Sequence, residues 1–179
     1  MMKQLETTRL ILKDWRTSYA PQLFDYAKNP NVGPHAGWKP HESVKESKMI
    51  IKKVFLPNMV WAIEHKETQC IIGSIGLEPD KYRPDIKSKE LGYSLNEEFW
   101  GKGLMTEAAK AVIQYSFVTL GLEMLTICTG SENFRSQSII KKCGFTYEGT
   151  LRKAYRIFDG SLRDVLCYSI MKEEYFNEN

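Results

Sequence analysis

Several features that define whole classes of protein are missing from this sequence of 179 residues. No stretch approaches the roughly 20 consecutive apolar residues of a membrane-spanning helix. Residues 1–6 also lack the apolar core of a signal peptide. We therefore expect a cytoplasmic protein that does not use a membrane as a partner.

Cysteine and histidine are few and scattered. The four cysteines are Cys70, Cys128, Cys143 and Cys167. No two of them form a Cys-x-x-Cys pair, and each has apolar neighbours, as small core residues do. His35 and His41 lack a third ligand at usable spacing, so we interpret them as surface loop residues. We expect no disulfide and no bound metal.

Neither sign of charge dominates the chain. Its 25 Lys and Arg residues are spread among 22 Asp and Glu residues, for a formal net charge of +3. Without a basic arm or stripe, we expect no direct nucleic-acid partner. Repeats, low-complexity segments and Gly/Ser-rich linkers are absent too, which favours a single domain over residues 1–179.

What the sequence does contain is a clear succession of strand and helix patterns. Strands are predicted at residues 9–13, 59–64, 70–77, 89–95, 124–128, 145–158 and 161–171. Helices are predicted at residues 19–27, 43–55, 104–120 and 135–143. The pair Asp159-Gly160 indicates a hairpin. The strand–helix–strand unit at residues 89–128 implies a parallel strand pair. These patterns predict an α+β domain with a mixed sheet.

The most informative segment is the turn Gly101-Lys102-Gly103, which lies between a predicted strand and a predicted helix. Glycine adopts backbone angles that other residues avoid, so neighbouring N–H groups can point outward together. The start of the helix adds unpaired amides and a positive dipole end at the same place. This arrangement predicts an anion site, most often a phosphate site.

Two common phosphate-binding motifs do not fit this turn. A Walker loop ends in Gly-Lys-Ser/Thr, whereas the residues here are Gly103, Leu104 and Met105. A dinucleotide fold needs a third glycine where Thr106 stands, and it begins with alternating strand–helix units. Both interpretations are weak.

Three segments, in this order, resemble the RimJ/RimL branch of the GNAT superfamily of N-acetyltransferases. They are Glu90-Leu91-Gly92-Tyr93-Ser94-Leu95, Trp100-Gly101-Lys102-Gly103-Leu104-Met105-Thr106-Glu107-Ala108 and Asn133-x-x-Ser136-x-x-Ile139-x-x-Lys142-x-Gly144-Phe145. The resemblance covers nearly the whole chain. It implies a mixed, mostly antiparallel central sheet that is splayed at a parallel strand pair and flanked by about four helices.

The chain departs from the superfamily pattern at three positions. Trp100 stands where Arg or Gln is usual, and Met105 stands where Gly or Ala is usual. Because main-chain amides do the binding in this loop, neither change removes the predicted site. Ile140 occupies the position at which many relatives carry a tyrosine that protonates the departing thiolate, so that acid is missing here.

The resemblance implies that acetyl-coenzyme A binds along this segment, with its pyrophosphate on the amides of residues 101–106. Its pantetheine arm would pair with main chain at Leu95 and Asn96, where the family places a bulge that splays the strands. Lys102 and Lys142 are either phosphate contacts or solvated lysines. The full predicted set is Leu95, Asn96, Trp100, Gly101, Lys102, Gly103, Leu104, Met105, Thr106, Asn133 and Lys142.

The catalytic candidates are Glu90, Ser136 and Asn133, and each has a structural alternative. Glu90 is either the general base, acting through water, or a solvated strand residue. Ser136 either protonates the thiolate or is a buried hydroxyl bonded to the preceding turn. Asn133 contacts pantetheine or the amine, caps the following helix, or does both. A main-chain N–H near Leu95 is expected to stabilise the oxyanion.

The sequence thus predicts an N-acetyltransferase that moves an acetyl group from acetyl-coenzyme A to a primary amine by direct attack. No cysteine is placed for a covalent acetyl-enzyme. A protein N-terminal α-amine, as in ribosomal proteins, is the favoured acceptor. Amino acids, polyamines, aminoglycosides and a non-catalytic coenzyme A sensor are the alternatives. We expect a monomer or homodimer, with the loop at residues 29–40 and its Trp38 as the acceptor wall.

Overall fold

A computed structural model describes residues 2–178 and places eight strands in one sheet. The predicted domain 1–179 extends one residue beyond this range at each end. The strands are β1 (Leu5–Glu6), β2 (Leu10–Asp14), β3 (Met59–His65), β4 (Cys70–Pro79), β5 (Ser88–Leu95), β6 (Met124–Gly130), β7 (Thr146–Arg156) and β8 (Leu162–Met171). Their order in the sheet is β1-β2-β3-β4-β5-β6-β8-β7.

Five α-helices flank this sheet within the described part of the chain. They are α1 (Ala20–Ala27), α2 (Val44–Ile50), α3 (Leu104–Gln114), α4 (Phe134–Lys142) and α5 (Lys172–Glu178). None of these helices has the length and apolar character needed to span a bilayer.

Every strand pairing is antiparallel except one. β5 and β6 are parallel neighbours, paired from Ser88 with Met124 to Glu90 with Thr126. The predicted α+β fold with a mixed, mostly antiparallel sheet is therefore confirmed, and so is the strand–helix–strand unit at its centre. Because α3 connects two adjacent parallel strands, it must cross over one face of the sheet.

The alternation of side chains along the inner strands sends apolar residues to both faces. In β3, Trp61 and Ile63 belong to a core shared with α3 and α4, whereas Val60 and Ala62 belong to a second core shared with α1 and with Ile51, which directly follows α2. The sheet is thus covered on both faces, which fixes the ends of β5 and β6 between two helical layers.

The predicted helix at residues 104–120 is regular only over its first part. α3 passes into a wider π-helical segment, Tyr115–Thr119, and the Leu120 amide donates to the carbonyl of Tyr115 at 3.0 Å. Buried Ser116 donates its hydroxyl to the carbonyl of Val112 at 2.7 Å. A serine that bonds to the preceding turn loosens a helix, which accounts for the change.

Two elements were not predicted. β1 has only two residues, which is too short for a periodic pattern. α5 follows β8 directly, without the Gly, Pro or Asn that marks a boundary between elements. Instead, Glu174 accepts a hydrogen bond from the amide of Met171 at 2.7 Å and so holds the first turn.

Candidate active site

A cavity of about 780 Å³ opens where β5 and β6 part. Their ladder stops after Glu90 and Thr126, although each strand continues along its outer neighbour. β5 stays paired with β4 as far as Leu95, and β6 stays paired with β8 as far as Gly130. The two strands therefore diverge into a slot that is open at the sheet centre.

A bulge does lie near Leu95, but in the neighbouring strand. β4 and β5 keep one register from the pair Pro79–Lys89 to the pair Gly73–Leu95. The register of β3 against β4 shifts between Ile63 and Glu64, which leaves Ile72 as the extra residue, next to the partner of Leu95.

Hydrogen-bond alternation tells which main-chain groups face the slot. The Asn96 amide donates to the carbonyl of Ile72, so residues of even number along β5 bond to β4. The N–H and C=O groups of Tyr93 and Leu95 then point towards the slot. There they have no strand partner, because the β6 ladder has already ended. The slot consequently offers an edge on which an extended ligand can pair.

One end of the cavity is formed by the glycine turn. Gly101 and Gly103 have φ angles of +73° and +74°, in the left-handed region where glycine is favoured. α3 starts after Gly103, and its first hydrogen bond runs from the Glu107 amide to the Gly103 carbonyl. The preceding N–H groups of the helix start have no intrahelical acceptor. This end therefore has the predicted geometry of an anion site.

A buttress behind the turn fixes its position. The Arg9 guanidinium donates to the Lys102 carbonyl at 2.9 Å and pairs with the Glu107 carboxylate at 2.7 Å. Thr7 donates its hydroxyl to the same carboxylate at 2.6 Å. Burial works against the charge of Glu107, but these hydrogen bonds outweigh it and hold its pKa below the usual value. The turn is thus anchored to the start of β2.

Trp100 and Arg135 make a second set of contacts that supports the glycine turn. Trp100 was predicted as a site residue, whereas Arg135 was not. The Trp100 indole donates to the carbonyl of Leu95 at 2.8 Å, and the Arg135 guanidinium lies 4.3 Å from the Trp100 ring centroid. Arg135 lines the cavity from the first turn of α4. Its position places a cation beside the glycine turn.

Most of the predicted donor residues line the cavity. They are Leu95, Trp100, Gly101, Gly103, Leu104, Met105, Thr106, Asn133 and Lys142. Asn96 and Lys102 are not part of the lining. The Asn96 amide bonds to Ile72, and its side chain accepts from the Glu98 amide. The Lys102 ammonium lies 5.1 Å from the Phe99 ring centroid.

Glu90 lies on the cavity wall, half-buried. Burial is the main reason why its pKa is raised, and the nearby carboxylates of Glu78 and Asp80 add to the effect. Lys81 and a hydrogen bond from Cys128 oppose it. Glu78 is the residue opposite Glu90 in the β4–β5 pair and also lines the cavity. This end of the cavity therefore carries two neighbouring carboxyl groups.

Ser136 and Asn133 lie together at the start of α4. The Asn133 side chain accepts a hydrogen bond from the Ser136 amide at 3.2 Å, so Asn133 caps the helix as one interpretation predicted. The Ser136 hydroxyl is buried and lies 3.0 Å from the hydroxyl of Tyr93. Burial raises the pKa of Tyr93, and the bond to Ser136 opposes this effect.

Tyr93 was not among the predicted site residues, but it lines the cavity as well as packing against the core. Its side chain points to the α4 side because it alternates with Glu90, Gly92 and Ser94 along the strand. Sequence reasoning missed its role because the contact with Ser136 spans 43 residues. Ile140, where the superfamily tyrosine would stand, is 1% exposed and belongs to the core.

The acceptor wall differs from the prediction in one residue. The loop at residues 29–40 does line the cavity, but through Asn31, Val32, His35 and Ala36 rather than Trp38. The Trp38 ring lies against the ring of His41 at 5.2 Å between centroids and packs on the second core.

The hairpin of β7 and β8 completes the same wall and was not predicted as part of the site. Tyr155 lines the cavity and donates its hydroxyl to the carbonyl of Ala36 at 2.9 Å, and Arg163 donates to the carbonyl of Pro34 at 2.8 Å. These contacts join segments 119 and 129 residues apart. No local pattern in the sequence encodes them.

A carboxylate links the loop at residues 29–40 to the segment that precedes the glycine turn. Glu97, in the turn before Trp100, accepts hydrogen bonds from the side-chain amides of Asn29 at 2.6 Å and Asn31 at 3.1 Å. These bonds lower the pKa of Glu97. These hydrogen bonds therefore connect the two ends of the cavity. Among residues 2–178, no cluster of three His, Cys, Asp or Glu side chains is arranged to hold a metal ion.

Comparison with known proteins agrees with this geometry. A family model described as "Acetyltransferase (GNAT) domain" matches residues 9–146. YoaA of Bacillus subtilis, an N-acetyltransferase of uncharacterised role, is 31% identical over 96% of this chain and 98% of its own. Spermidine N(1)-acetyltransferase of Escherichia coli is 34% identical over 48% of this chain and 45% of its own.

Solved structures of similar fold include two with informative names. Ribosomal-protein-S5-alanine acetyltransferase of Vibrio fischeri has a TM-score of 0.79 and 21% identity, over 96% of this chain and 98% of that chain. The microcin C7 self-immunity acetyltransferase MccE, in complex with acetyl-CoA and AMP, has a TM-score of 0.80 and 23% identity. That match covers 92% of this chain and 93% of the other.

Proposed function

Since the chain belongs to the GNAT acetyltransferase family, whose enzymes use acetyl-CoA, we propose that it acetylates a primary amine by direct attack in a ternary complex. One observation carries this proposal. A single cavity of about 780 Å³ joins the glycine turn and the unpaired amides of a helix start at one end to a half-buried carboxyl group at the other. Donor and acceptor can then meet inside it without a covalent enzyme intermediate.

At the donor end, the amides of residues 101–106 would hold the pyrophosphate of acetyl-CoA, with Arg135 and Lys142 as neighbouring cations. The pantetheine arm would pair with the free main-chain edge of β5 at Tyr93 and Leu95, which leaves Asn96 and the Lys102 side chain without a direct role. The Leu95 carbonyl already accepts from Trp100. The Leu95 N–H is thus the natural donor to a thioester oxygen.

Direct attack is favoured because the cysteine of the cavity wall is a poor nucleophile. Burial and the Glu90 carboxylate raise the pKa of Cys128, so its thiol stays protonated at neutral pH. The reactive form of cysteine is the thiolate. An acetyl-cysteine intermediate at this position is therefore not part of the proposal.

Glu90 is proposed as the general base. An α-amine has a pKa of about 8, so roughly a tenth of it is already neutral at pH 7. A carboxylate acting through a water molecule suffices to remove the remaining proton. The raised pKa of Glu90 brings its basicity closer to that of the amine.

Ser136 and Tyr93 together are proposed as the proton source for the departing thiolate. Their hydroxyls are 3.0 Å apart, and Tyr93 belongs to the strand whose edge would hold the pantetheine. Base and acid lie on opposite sides of β5, because Glu90 and Tyr93 point to opposite faces. This arrangement keeps the two proton transfers apart.

The acceptor is proposed to be the α-amine of a protein or peptide. It would arrive as a cation and be drawn to the carboxyl groups of Glu78 and Glu90. The fold shared with the ribosomal-protein acetyltransferase is consistent with this choice. A polyamine is the second candidate, supported by the same carboxyl pair and by the partial likeness to a spermidine acetyltransferase.

A screen with isotopically labelled acetyl-CoA tests the proposal. Peptides with free N-termini, polyamines, amino acids and aminoglycosides are offered in parallel, and products are identified by mass spectrometry. Acetylation confined to peptide α-amines is the expected result. Acetyl-CoA binding without any product would favour the coenzyme A sensor, and absence of binding would overturn the proposal altogether.

A further inference from the structure

Two cysteine side chains face each other on the wall that carries Glu90. Cys128 on β6 and Cys167 on β8 are directly opposite in the antiparallel ladder, and their sulfur atoms are 3.5 Å apart. Both thiols are free. Cys128 also lines the cavity.

The ladder places these residues at a spacing that a disulfide can use. The amide of Ser131 donates to the carbonyl of Asp164, which makes that pair a hydrogen-bonded one. Pairs alternate along an antiparallel ladder, so Cys128 and Cys167, three positions away, form a non-hydrogen-bonded pair. Such pairs have Cα atoms about 4.5 Å apart, within the range of about 4.4–6.8 Å found for disulfides.

The Cys167 side chain is accessible from the side on which β7 lies. It is half-buried, and its neighbour on β7 is Gly149, which has no side chain to cover it. A Cβ atom added at Gly149 would meet nothing within 4 Å. A small reagent can therefore approach the Cys167 sulfur from the β7 side.

We propose that Cys128 and Cys167 are a redox modification site, which a disulfide of a small thiol oxidises to a cross-strand disulfide that slows acetyl transfer. The Cys167 thiolate attacks the small disulfide, forms a mixed disulfide and releases one small thiol. Cys128 then attacks the Cys167 sulfur and releases the second. The two protons of the protein thiols leave on the two small thiols, so the exchange is balanced.

The order of attack follows from the surroundings of each sulfur. Burial and the Glu90 carboxylate raise the pKa of Cys128, which makes it unsuited to attack first. Once Cys167 carries a mixed disulfide, the Cys128 sulfur is already beside it. This proximity offsets the small fraction of Cys128 that is present as thiolate.

The effect on activity rests on the proposed function. Cys128 and Glu90 line the same cavity, and the Cys128 thiol donates towards the Cys167 sulfur. Oxidation bonds the two sulfurs and draws the Cys128 side chain towards β8. The cavity wall beside Glu90 then changes shape, and we expect the transfer rate to fall by about fivefold.

Peptide mapping of the whole protein after treatment with glutathione disulfide tests the site. A Cys128–Cys167 cross-linked peptide, reversible with dithiothreitol, is the expected product. Cys167→Ser should abolish it, whereas the matched variant Cys70→Ser, at an exposed cysteine away from the cavity, should retain it. Glutathione on Cys70 with free thiols at Cys128 and Cys167 would overturn the inference.

Rates of amine acetylation before and after oxidation test the consequence. The expected loss of about fivefold should be restored by dithiothreitol and absent in Cys167→Ser. An unchanged rate in the fully cross-linked protein would overturn the control of transfer. Failure of the proposed function itself would look different. The protein would then acetylate no amine even before oxidation, although oxidation would still form the cross-link.

Discussion

At one end of the cavity, the turn at Gly101 and Gly103 offers main-chain amides, and its shape depends on left-handed φ angles. At the other end, Glu90, Glu78 and Tyr155 offer side chains carried by three different strands. The first end consists of consecutive residues. The second is assembled from segments that meet only in the folded protein.

The two ends of the cavity therefore determine different specificities, one for the donor and one for the amine. Amides at a helix start recognise any suitably placed phosphate, and their geometry leaves few ways to alter them except by replacing glycine. Side chains on separate strands can be exchanged one at a time without disturbing the backbone. We therefore expect donor binding to depend mainly on the main chain of the turn and of the β5 edge, and amine choice to depend on the acceptor wall.

Gly103→Asp should break the donor end with the largest effect. Aspartate tolerates a left-handed φ, but its charge would repel a phosphate held by the amides of the turn. Acetyl-CoA affinity, measured by titration calorimetry, should fall by about 100-fold. Gly103→Asn is the matched control, since it has the same shape without the charge and should lose less than about tenfold. Equal affinities for both variants and the unchanged protein would contradict an anion site here.

Glu90→Gln should damage the acceptor end and spare the donor end. Loss of the base should slow amine acetylation by about 50-fold at pH 7, while acetyl-CoA affinity stays the same. A discontinuous assay, quenched at timed intervals and read by mass spectrometry, measures the rate of acetylation. Glu67→Gln, in the exposed turn before β4, serves as the control and should leave the rate unchanged. A Glu90→Gln enzyme of normal rate would remove Glu90 as base.

Tyr93→Phe and Ser136→Ala should each slow acetyl transfer by about tenfold, since each removes one hydroxyl of a bonded pair. If the two hydroxyls act as one proton source, the double variant should be little worse than either single variant. A complete double-mutant cycle measures this coupling. Independent, multiplying losses would show that the pair does not act as a unit.

The smallest expected effect is a shift of the pH profile. Burial, Glu78 and Asp80 raise the pKa of Glu90, so its base form appears above the ordinary value of 4.5, and kcat/KM should rise with pH through that region. Lys81 and Cys128 lower this pKa. Lys81→Met should therefore move the acid limb to higher pH. An acid limb that stays in place would contradict the assignment of this limb to Glu90.

Features made by consecutive residues could be predicted from the sequence, as at the first end of the cavity. The predicted strand at residues 89–95 and helix starting at Leu104 agree with β5 and α3, because apolar periodicity and the glycine turn are local signals. The Asn133 cap was predictable from its spacing to Ser136. The resemblance supplied the splay and the bulge near Leu95, although the bulge lies in β4 rather than in β5.

The rest depends on contacts between distant segments. Tyr155 reaches Ala36, and Tyr93 reaches Ser136, through folds of the chain that no local pattern records. Arg135 looked like any surface arginine until α4 placed it over Trp100. Alternating patterns identify which residues share a strand face, but they do not tell which other strand or loop that face will meet.

Amide hydrogen exchange in the presence of acetyl-CoA reports on the main chain itself and so tests whether the glycine turn binds the donor. We expect acetyl-CoA to protect the amides of residues 101–106 and the β5 edge at Tyr93 and Leu95, and ATP at equal concentration not to displace it. Protection elsewhere, with residues 101–106 unchanged, would contradict a donor site built from the backbone of this turn.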